Sequence, residues 1–349
     1  MKDKIQWISN LRVLATFCVI LLHVAAGNFM HTFSIPVTAY WWAANVYDSI
    51  THFAVPVFIM ISGALLLPQE ISLGKFLKKR FAHILLPFVF WNIVYIALCF
   101  FGKGYYTDFT FFETVKDLIV KLLTCKISVH FWFVYMLAGL YLFMPILSKW
   151  IRHSTEKEIL YFLVLWFITV NLGNIPVFYA QMGYISSKLV NFSGFAGYLV
   201  FGYYLSTKKF PLKNKTQLLL AAALCLCAMA FTVLFTYRES LKTNHGNERF
   251  MYLFYFNIIL MAASVSMFLK NLPSFKNKVI LLIISALDKY SYGIFLIHLL
   301  VLNYMQQFGI GGWFSPYIDF PLRAALCMAV SWLVIYLLNK IPLLKNFTG

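Results

Sequence analysis

Long apolar stretches recur along the whole chain of 349 residues, and they constrain its fold more than any other feature. A transmembrane helix needs about 20 consecutive, mostly apolar residues, because the hydrocarbon core of a bilayer is about 30 Å thick. Apolar residues make up 61% of the chain and charged residues 12%, whereas an ordinary soluble domain is about half apolar and about 25% charged. The sequence therefore predicts an all-α polytopic membrane protein.

Charged residues and helix-breaking glycine, proline and asparagine divide these stretches into ten candidate transmembrane helices. The predicted helices cover residues 7–28, 41–67, 83–101, 130–148, 158–172, 190–206, 217–237, 250–269, 290–308 and 320–339. Around the fifth and sixth, the stretch from Leu172 to Lys188 contains Pro176 and Gly183 and suits a re-entrant or interfacial loop. The ten helices are expected to form one membrane domain over residues 1–349, with no appended soluble domain.

The distribution of lysine and arginine predicts the orientation. With the N-terminus inside, the cytoplasmic segments carry 19 of these residues and the outer segments 8, while Arg12 and Arg323 lie within predicted helices. Cytoplasmic loops carry such an excess, so both termini are predicted to be cytoplasmic. The same bias explains the net charge of +17 without a nucleic-acid partner. The segment from Phe109 to Thr124 mixes charged and apolar residues at helical spacing, which predicts a helix on the outer membrane surface.

Titratable side chains inside the predicted helices are the candidate functional residues, because each is costly in hydrocarbon unless it is paired or hydrated. Arg12 and His23 are eleven residues apart, a helical rotation of about 1100° and a rise of about 16.5 Å, so they share one stripe of the first helix. Asp48 and His52 lie one turn apart, where they can hydrogen-bond and fix the imidazole tautomer. Structural alternatives are a snorkelling Arg12, a core His23 bonded to a neighbouring helix, and a purely structural Asp48 and His52 pair.

Further polar residues stand near the ends or in the middle of other predicted helices. A basic run before Pro87 can bind phosphate groups, although a positive-inside loop explains it equally well. This run contains Lys75, Lys78, Lys79, Arg80 and His83. His298 is expected at mid-membrane. His130 opens the fourth helix among aromatic residues at the outer surface, and a belt of aromatic side chains at the membrane interface explains its position. The cysteines and histidines show no metal-ligand spacing, so no metal is predicted.

Several of these segments, taken in order, resemble the integral-membrane acyltransferase-3 family, whose members include bacterial surface-polysaccharide O-acetyltransferases. The resemblance rests on Trp7-Ile-Ser-Asn-Leu-Arg12 followed by His23, on Val55-Pro-Val-Phe-Ile-Met-Ile-Ser62-Gly63, on Lys79-Arg80 before Pro87, on His130-Phe-Trp-Phe, and on Ser291-Tyr-Gly-Ile-Phe-Leu-Ile-His298. It covers nearly the whole chain and is strongest to the stand-alone type, similar to the enterobacterial common antigen O-acetyltransferase.

The resemblance implies that an acyl group, usually acetyl from cytoplasmic acetyl-CoA, is moved to a hydroxyl of a surface polysaccharide or lipid-linked glycan at a bacterial plasma membrane. The essential pair of the family maps onto Arg12 and His23, and its second arginine motif maps onto Arg80. His23 would be the base or a transient acyl carrier, with Asp48 and His52 orienting or relaying.

The remaining assignments are hypotheses that follow from the chemistry of acyl transfer from a thioester to an alcohol. Arg12, Lys79, Arg80 and His83 would hold the CoA phosphates at the inner face. The weaker cavity candidates are Asn92, Tyr135 and His298.

The chain also departs from the family. Asn10 stands where many members have Asp, His83 where a second basic residue, often Arg, is expected, and His52 at a site that can be Arg.

A function of another class uses the same intramembrane groups. In a proton-coupled transporter or glycan exporter, Arg12, His23, Asp48 and His52 would form an ion pathway. The basic inner run favours the acyltransferase, because CoA phosphates need such a site and a proton relay does not. The sequence also shows no internal repeat of the kind found in many transporters.

Overall fold

The computed structural model describes residues 2–70, 72–101, 108–172 and 194–349. The described residues form helices joined by loops and contain no β-strand. The helices are α1 (Lys2–His31), α2 (Ala39–Thr51), α3 (Ala54–Leu66), α4 (Leu73–Tyr95), α5 (Phe111–Leu123), α6 (Trp132–His153), α7 (Glu156–Leu172), α8 (194–207), α9 (Asn214–Thr243), α10 (Phe256–Asn271), α11 (Lys278–Lys289), α12 (Ser291–Gln307) and α13 (Pro316–Lys340).

The all-α polytopic membrane architecture is confirmed. In the described residues, seven helical segments are long and apolar enough to cross a bilayer, and the bent pair α11 and α12 makes an eighth if it counts as one span. Two further predicted spans correspond to α7, which has 17 residues, and to α8. The predicted re-entrant loop after Leu172 lies outside the described residues.

The predicted second span is a broken helix. α2 ends at Thr51 and α3 begins at Ala54, although together they form one membrane-crossing segment. Pro56 explains the break, because its nitrogen cannot donate to the carbonyl of His52 and its ring crowds that carbonyl. His52 therefore lies at an interruption of the helix rather than within a regular turn.

Two segments predicted as cytoplasmic loops are helical instead. α4 begins at Leu73, well before the predicted start at residue 83, and its first turns contain the basic run. Lysine and arginine are good helix formers, so charge alone does not end a helix. α11 occupies residues predicted to be a loop; none of its residues is buried, and it meets α12 at an angle of 75°.

α1 lies at the centre of the bundle, where it contacts α2, α3, α10, α11, α12 and α13. The end of the bundle at which α1 begins is termed the inner end, and the opposite end the outer end. α3 and α8 pack closely at Gly63 and Gly202, because the lack of a side chain lets the two backbones approach. A Cβ atom at either position would overlap the backbone of the facing helix. The Ser62 hydroxyl donates to the Phe58 carbonyl at 3.0 Å, so the Ser62-Gly63 pair belongs to helix packing.

α5 is the helix predicted for the segment from Phe109 to Thr124, and it lies on the surface of the protein. None of its residues is buried, and Phe111 and Phe112 are 76% and 83% exposed. A capping box between Thr110 and Glu113 fixes its start. The apolar residues of α5 are therefore available to the membrane interface.

Candidate active site

Three histidines from distant parts of the chain meet in the outer half of the bundle. His23 is on α1, His130 is in the 3-10 turn that precedes α6, and His298 is on α12. The ring centroid of His298 lies 5.2 Å from that of His23 and 4.9 Å from that of His130, and His23 and His130 are 6.4 Å apart. These three side chains are termed the histidine cluster.

The three imidazoles differ in how many of their ring nitrogens are hydrogen-bonded. His130 uses both, since Nε2 bonds the Leu296 carbonyl at 3.1 Å and Nδ1 bonds the Ser128 hydroxyl at 2.9 Å. His298 bonds the Phe295 carbonyl through Nδ1 at 2.6 Å, while its Nε2 is buried without a partner among the described residues. A carbonyl only accepts, so Nδ1 of His298 carries the hydrogen in that bond and Nε2 is left as an acceptor.

His23 is the member of the cluster that is free to react. No hydrogen bond joins it to another described residue, and it is partly exposed, whereas His130 and His298 are 2% and 0% exposed. An imidazole with both nitrogens available can take a proton or attack a carbonyl carbon. The structure therefore places one imidazole with two unengaged nitrogens beside two buried ones.

Asp48 lies on α2, the helix that pairs with α1, and His52 directly follows the end of α2. The imidazole of His52 is close enough to that of His23 for the two to interact electrostatically. His52 Nδ1 donates to the backbone carbonyl of Asp48 at 2.7 Å and lies 3.4 Å from its carboxyl Oδ1. The backbone, rather than the carboxyl group as the sequence suggested, therefore fixes the tautomer of His52, and it leaves Nε2 as the free acceptor.

Aromatic side chains from α4 and α12 enclose the cluster. The Tyr95 hydroxyl donates to the Leu296 carbonyl at 3.2 Å and accepts from the Leu300 amide at 3.0 Å. The ring of Tyr95 lies 5.8 Å from that of His130, and Phe295 lies 5.3 Å from the same imidazole. Tyr95 thus ties α4 to the turn of α12 that carries His298.

At the inner end of the same stripe, Arg12 forms an ion pair with Asp288, the next-to-last residue of α11. The Ser9 hydroxyl donates to the other carboxyl oxygen of Asp288 at 2.7 Å. The Arg12 and Asp288 side chains are 26% and 18% exposed, so the pair is only partly hydrated. Arg12 is therefore held by a counter-charge and does not snorkel alone.

The second arginine of the predicted site, Arg80, lies in α4. Arg80 packs over the ring of Phe76, 5.8 Å from its centroid. The hydroxyl of Tyr141 on α6 is close enough to interact with the guanidinium groups of both Arg12 and Arg80. Lys79 and His83, by contrast, are exposed on the outside of α4. Arg12 and Arg80 thus share Tyr141 as a neighbour, whereas Lys79 and His83 lie at the surface of the inner end.

The two remaining cavity candidates, Asn92 and Tyr135, both contact Phe88 of α4. Asn92 is 4% exposed; its amide donates to the Phe88 carbonyl at 2.8 Å, and its Oδ1 is buried without a partner among the described residues. Tyr135 donates to the Leu122 carbonyl at 2.5 Å and so anchors α5 to α6. The contacts of Tyr135 join two helices, whereas Asn92 offers an unused acceptor within the bundle.

Sequence reasoning missed Asp288, Tyr141 and the cluster role of His130. A signal for Asp288 was present, because it is the only acid between residues 270 and 289 and a partly buried Arg12 needs a counter-charge. His130 was assigned to an aromatic belt, but it is buried and saturated with hydrogen bonds. Tyr141 carried no signal among the 21 tyrosines of the chain.

The described residues contain no group of three or more His, Cys, Asp or Glu side chains placed to hold a metal ion. They do contain an imidazole with two unengaged nitrogens, His23, in the outer half of the bundle, and Arg12 at the inner end of the same stripe of α1. In a comparison with known families, a model described as an acyltransferase domain, acyltransferase-3, matches residues 5–340. No curated protein and no solved structure matches the chain.

Proposed function

The chain belongs to the acyltransferase-3 family and is therefore a membrane-embedded acyltransferase, and we propose that it moves an acetyl group from cytoplasmic acetyl-CoA to a hydroxyl of a surface polysaccharide or its lipid-linked precursor. The observation that carries this proposal is the stripe of α1 that joins Arg12, at the inner end, to His23 in the histidine cluster. The bilayer would be a bacterial plasma membrane.

The reaction needs a base and a means of stabilising an oxyanion. The acceptor oxygen attacks the thioester carbonyl carbon, its proton passes to His23, and the carbon–sulfur bond breaks to release the CoA thiolate. In the alternative mechanism, in which His23 is an acyl carrier, His23 itself attacks the thioester carbonyl first and is then deacylated by the acceptor. His298 lies beside His23 with a free Nε2, so it can orient His23 or accept its hydrogen.

The donor would be held at the inner end. Arg12 and Arg80 provide guanidinium groups for the CoA phosphates, and the exposed Lys79 and His83 add positive charge and a donor at the surface. The rise of about 16.5 Å between Arg12 and His23 leaves room for an extended pantetheine arm along α1. Asp288 keeps Arg12 oriented while it leaves part of the guanidinium accessible.

The transporter hypothesis uses Arg12, His23, Asp48 and His52 as an ion pathway. Membership of an acyltransferase family favours the enzyme, and the pairing of Arg12 with Asp288 removes Arg12 from direct contact with the histidine cluster. An acyltransferase also gives a use to Arg80 and the exposed basic residues of α4, which a proton relay leaves unexplained.

The test compares the wild type with His23→Ala. Purified protein in detergent is given acetyl-CoA labelled in the acetyl group, and both thioester turnover and CoA binding are measured. We expect at least a hundredfold loss of turnover with CoA binding retained, because general-base catalysis contributes about 10²–10⁴-fold. His153→Ala is the matched control, since His153 is exposed at the inner end of α6.

Two results would contradict the proposal. Failure of the wild type to bind acetyl-CoA or any other acyl-CoA would remove the donor assignment. Full turnover in His23→Ala would remove His23 from the chemistry. Mass spectrometry of protein quenched after labelling without acceptor then separates the two roles of His23, because an acetyl group on that residue appears only if it is an acyl carrier.

A further inference from the structure

A tyrosine hydroxyl from α4 bridges two backbone groups of α12. In a regular α-helix, each amide donates to the carbonyl four residues earlier, so the Leu300 amide would donate to the Leu296 carbonyl. Here the Leu300 amide donates to the Tyr95 hydroxyl at 3.0 Å, and that hydroxyl donates to the Leu296 carbonyl at 3.2 Å. The hydroxyl of Tyr95 therefore links the two groups that a regular turn joins directly, and His298 lies within this turn.

Two further side chains bond the same turn from other parts of the bundle. Nε2 of His130 donates to the same Leu296 carbonyl at 3.1 Å, while its Nδ1 accepts from the Ser128 hydroxyl at 2.9 Å. The thiol of Cys327 on α13 donates to the carbonyl of His298 at 3.4 Å. The backbone groups of a membrane helix satisfy one another when the helix is regular. Bonds from three other elements thus fix this turn of α12 more firmly than its own backbone requires.

The backbone of α4 also changes at Tyr95. α4 ends at this residue, and Ile96–Phe101 continue the chain as a π-helix. Such π-helical turns are rare and are frequent at functional sites. Tyr95 itself is 1% exposed, so water does not compete for its hydroxyl. An irregular turn of α4 and a bridged turn of α12 therefore meet at one buried hydroxyl group.

The bridged turn sets the position of His298 against His23. Nδ1 of His298 donates to the Phe295 carbonyl at 2.6 Å, so its buried Nε2, which has no partner among the described residues, is an acceptor. The rings of His23 and His130 lie 5.2 and 4.9 Å from that of His298. His130 has both nitrogens engaged. Of these two neighbouring imidazoles, His23 is therefore the one that can donate to Nε2 of His298.

We propose that Tyr95 is a positioning residue, which holds the α12 turn so that Nε2 of His298 accepts the ring hydrogen of His23. This inference rests on the proposed function and deepens it. With its N–H directed to His298, His23 has its other nitrogen left to take the proton of the acceptor hydroxyl. His23 then gives that proton to the departing CoA thiolate, so it returns to its starting form and His298 stays neutral throughout.

Tyr95→Phe keeps the buried ring and removes the bridge. The Leu300 amide is then left with the Leu296 carbonyl as its partner, so the turn closes and His298 moves relative to His23. Since a misplacement of about 1 Å can cost about 10²-fold in rate, we expect kcat for acetyl-CoA turnover to fall at least about tenfold. The KM for acetyl-CoA should not change, because the donor site lies at the inner end.

Tyr198→Phe is the matched control. Tyr198 on α8 is also fully buried, and its hydroxyl also donates to a backbone carbonyl, that of Leu253. This variant loses a comparable hydrogen bond outside the histidine cluster, so its kcat should equal that of the wild type. Full kcat in Tyr95→Phe, or an equal loss in Tyr198→Phe, would overturn the positioning role.

A double-mutant cycle tests whether Tyr95 acts through His298. His298→Ala should lower kcat, and Tyr95→Phe should then have no further effect, because residues that act as a unit are not additive. Rate losses that multiply would show that Tyr95 acts by another route and would overturn the proposal.

Diethyl pyrocarbonate gives a second readout, which needs neither CoA nor a glycan and no double variant. It acylates unprotonated imidazole nitrogens, so mass spectrometry of the His23 peptide reports how nucleophilic that ring is. We expect slower modification of His23 in Tyr95→Phe than in the wild type or Tyr198→Phe, with the exposed His153 as the internal reference. An unchanged rate in Tyr95→Phe would overturn the positioning role.

The two readouts separate this inference from the proposed function. If the wild type turns over no acyl-CoA while modification of His23 still depends on Tyr95, the proposed function is refuted and the positioning of His23 by Tyr95 stands. If the wild type turns over acetyl-CoA and neither readout responds to Tyr95→Phe, the acyltransferase stands and the positioning role is refuted.

Discussion

Asp288→Asn tests whether Arg12 depends on its counter-charge. The side chains of Arg12 and Asp288 are 26% and 18% exposed, so the pair lies between two known limits. Fully exposed pairs contribute about 0–1 kcal/mol, and breaking a buried pair costs about 3–5 kcal/mol. We therefore expect Asp288→Asn to lower the free energy of unfolding by about 1–3 kcal/mol, as the Ser9 hydrogen bond to the carboxyl group is also weakened.

A double-mutant cycle isolates the pair from the rest of the change. Unfolding of the wild type, Asp288→Asn, Arg12→Gln and the double variant is followed in mixed micelles by titration with a denaturing detergent. In the Arg12→Gln background, Asp288→Asn should lower the free energy of unfolding only slightly. The difference between the two backgrounds gives a coupling energy of about 1–2 kcal/mol. Changes that simply add, within about 0.5 kcal/mol, would show that the two groups do not interact in the folded protein.

The remaining predictions concern packing, capping and charge outside the site. Gly202→Ala forces a methyl group into the backbone of α3 and should cost about 1–3 kcal/mol in the same unfolding assay, whereas Gly139→Ala, with no atom within 4 Å, should be neutral or slightly stabilising. Thr110→Ala removes the capping box of α5 and should cost about 1 kcal/mol, measured as faster amide exchange confined to α5. The hydrogen bond from Lys208 lowers the pKa of the Glu156 carboxyl below its ordinary value of 4.5. Its contribution to stability is therefore present above pH 4.5 and is lost as the pH falls through the lowered pKa; Glu156→Gln should remove this acid limb from a plot of stability against pH.

The membrane architecture could be predicted because it depends on local composition. Each span needs only enough apolar residues, and that property is visible in any window of the chain. The ends of the helices were less predictable, since a basic segment is compatible both with a loop and with the first turns of a helix such as α4. The break before Ala54 had a visible cause in Pro56, but proline is tolerated within many transmembrane helices, so its presence alone did not decide the matter.

The candidate site was predictable only along single helices. Arg12 and His23, or Asp48 and His52, are related by helical geometry, and their shared faces follow from spacing alone. The meeting of His23 with His130 and His298 depends on how α1, α6 and α12 pack, and no sequence period contains that information. The same limit applies to Asp288, whose link to Arg12 spans 276 residues of the chain.

The hydrogen bonds of the histidine cluster assign different tasks to its three members. His130 has both nitrogens engaged, so it can fix the turn of α12 at Leu296 but has no nitrogen left for a substrate. His298 keeps one nitrogen and is fully buried, so it can act only through a neighbour, and that neighbour is His23. His23 keeps both nitrogens, is the partly exposed member, and lies on α1, the central helix of the described bundle. Under the proposed function, a base on the central helix is fixed by its surroundings while its own nitrogens stay free, so His130 and His298 would position His23 for the reaction.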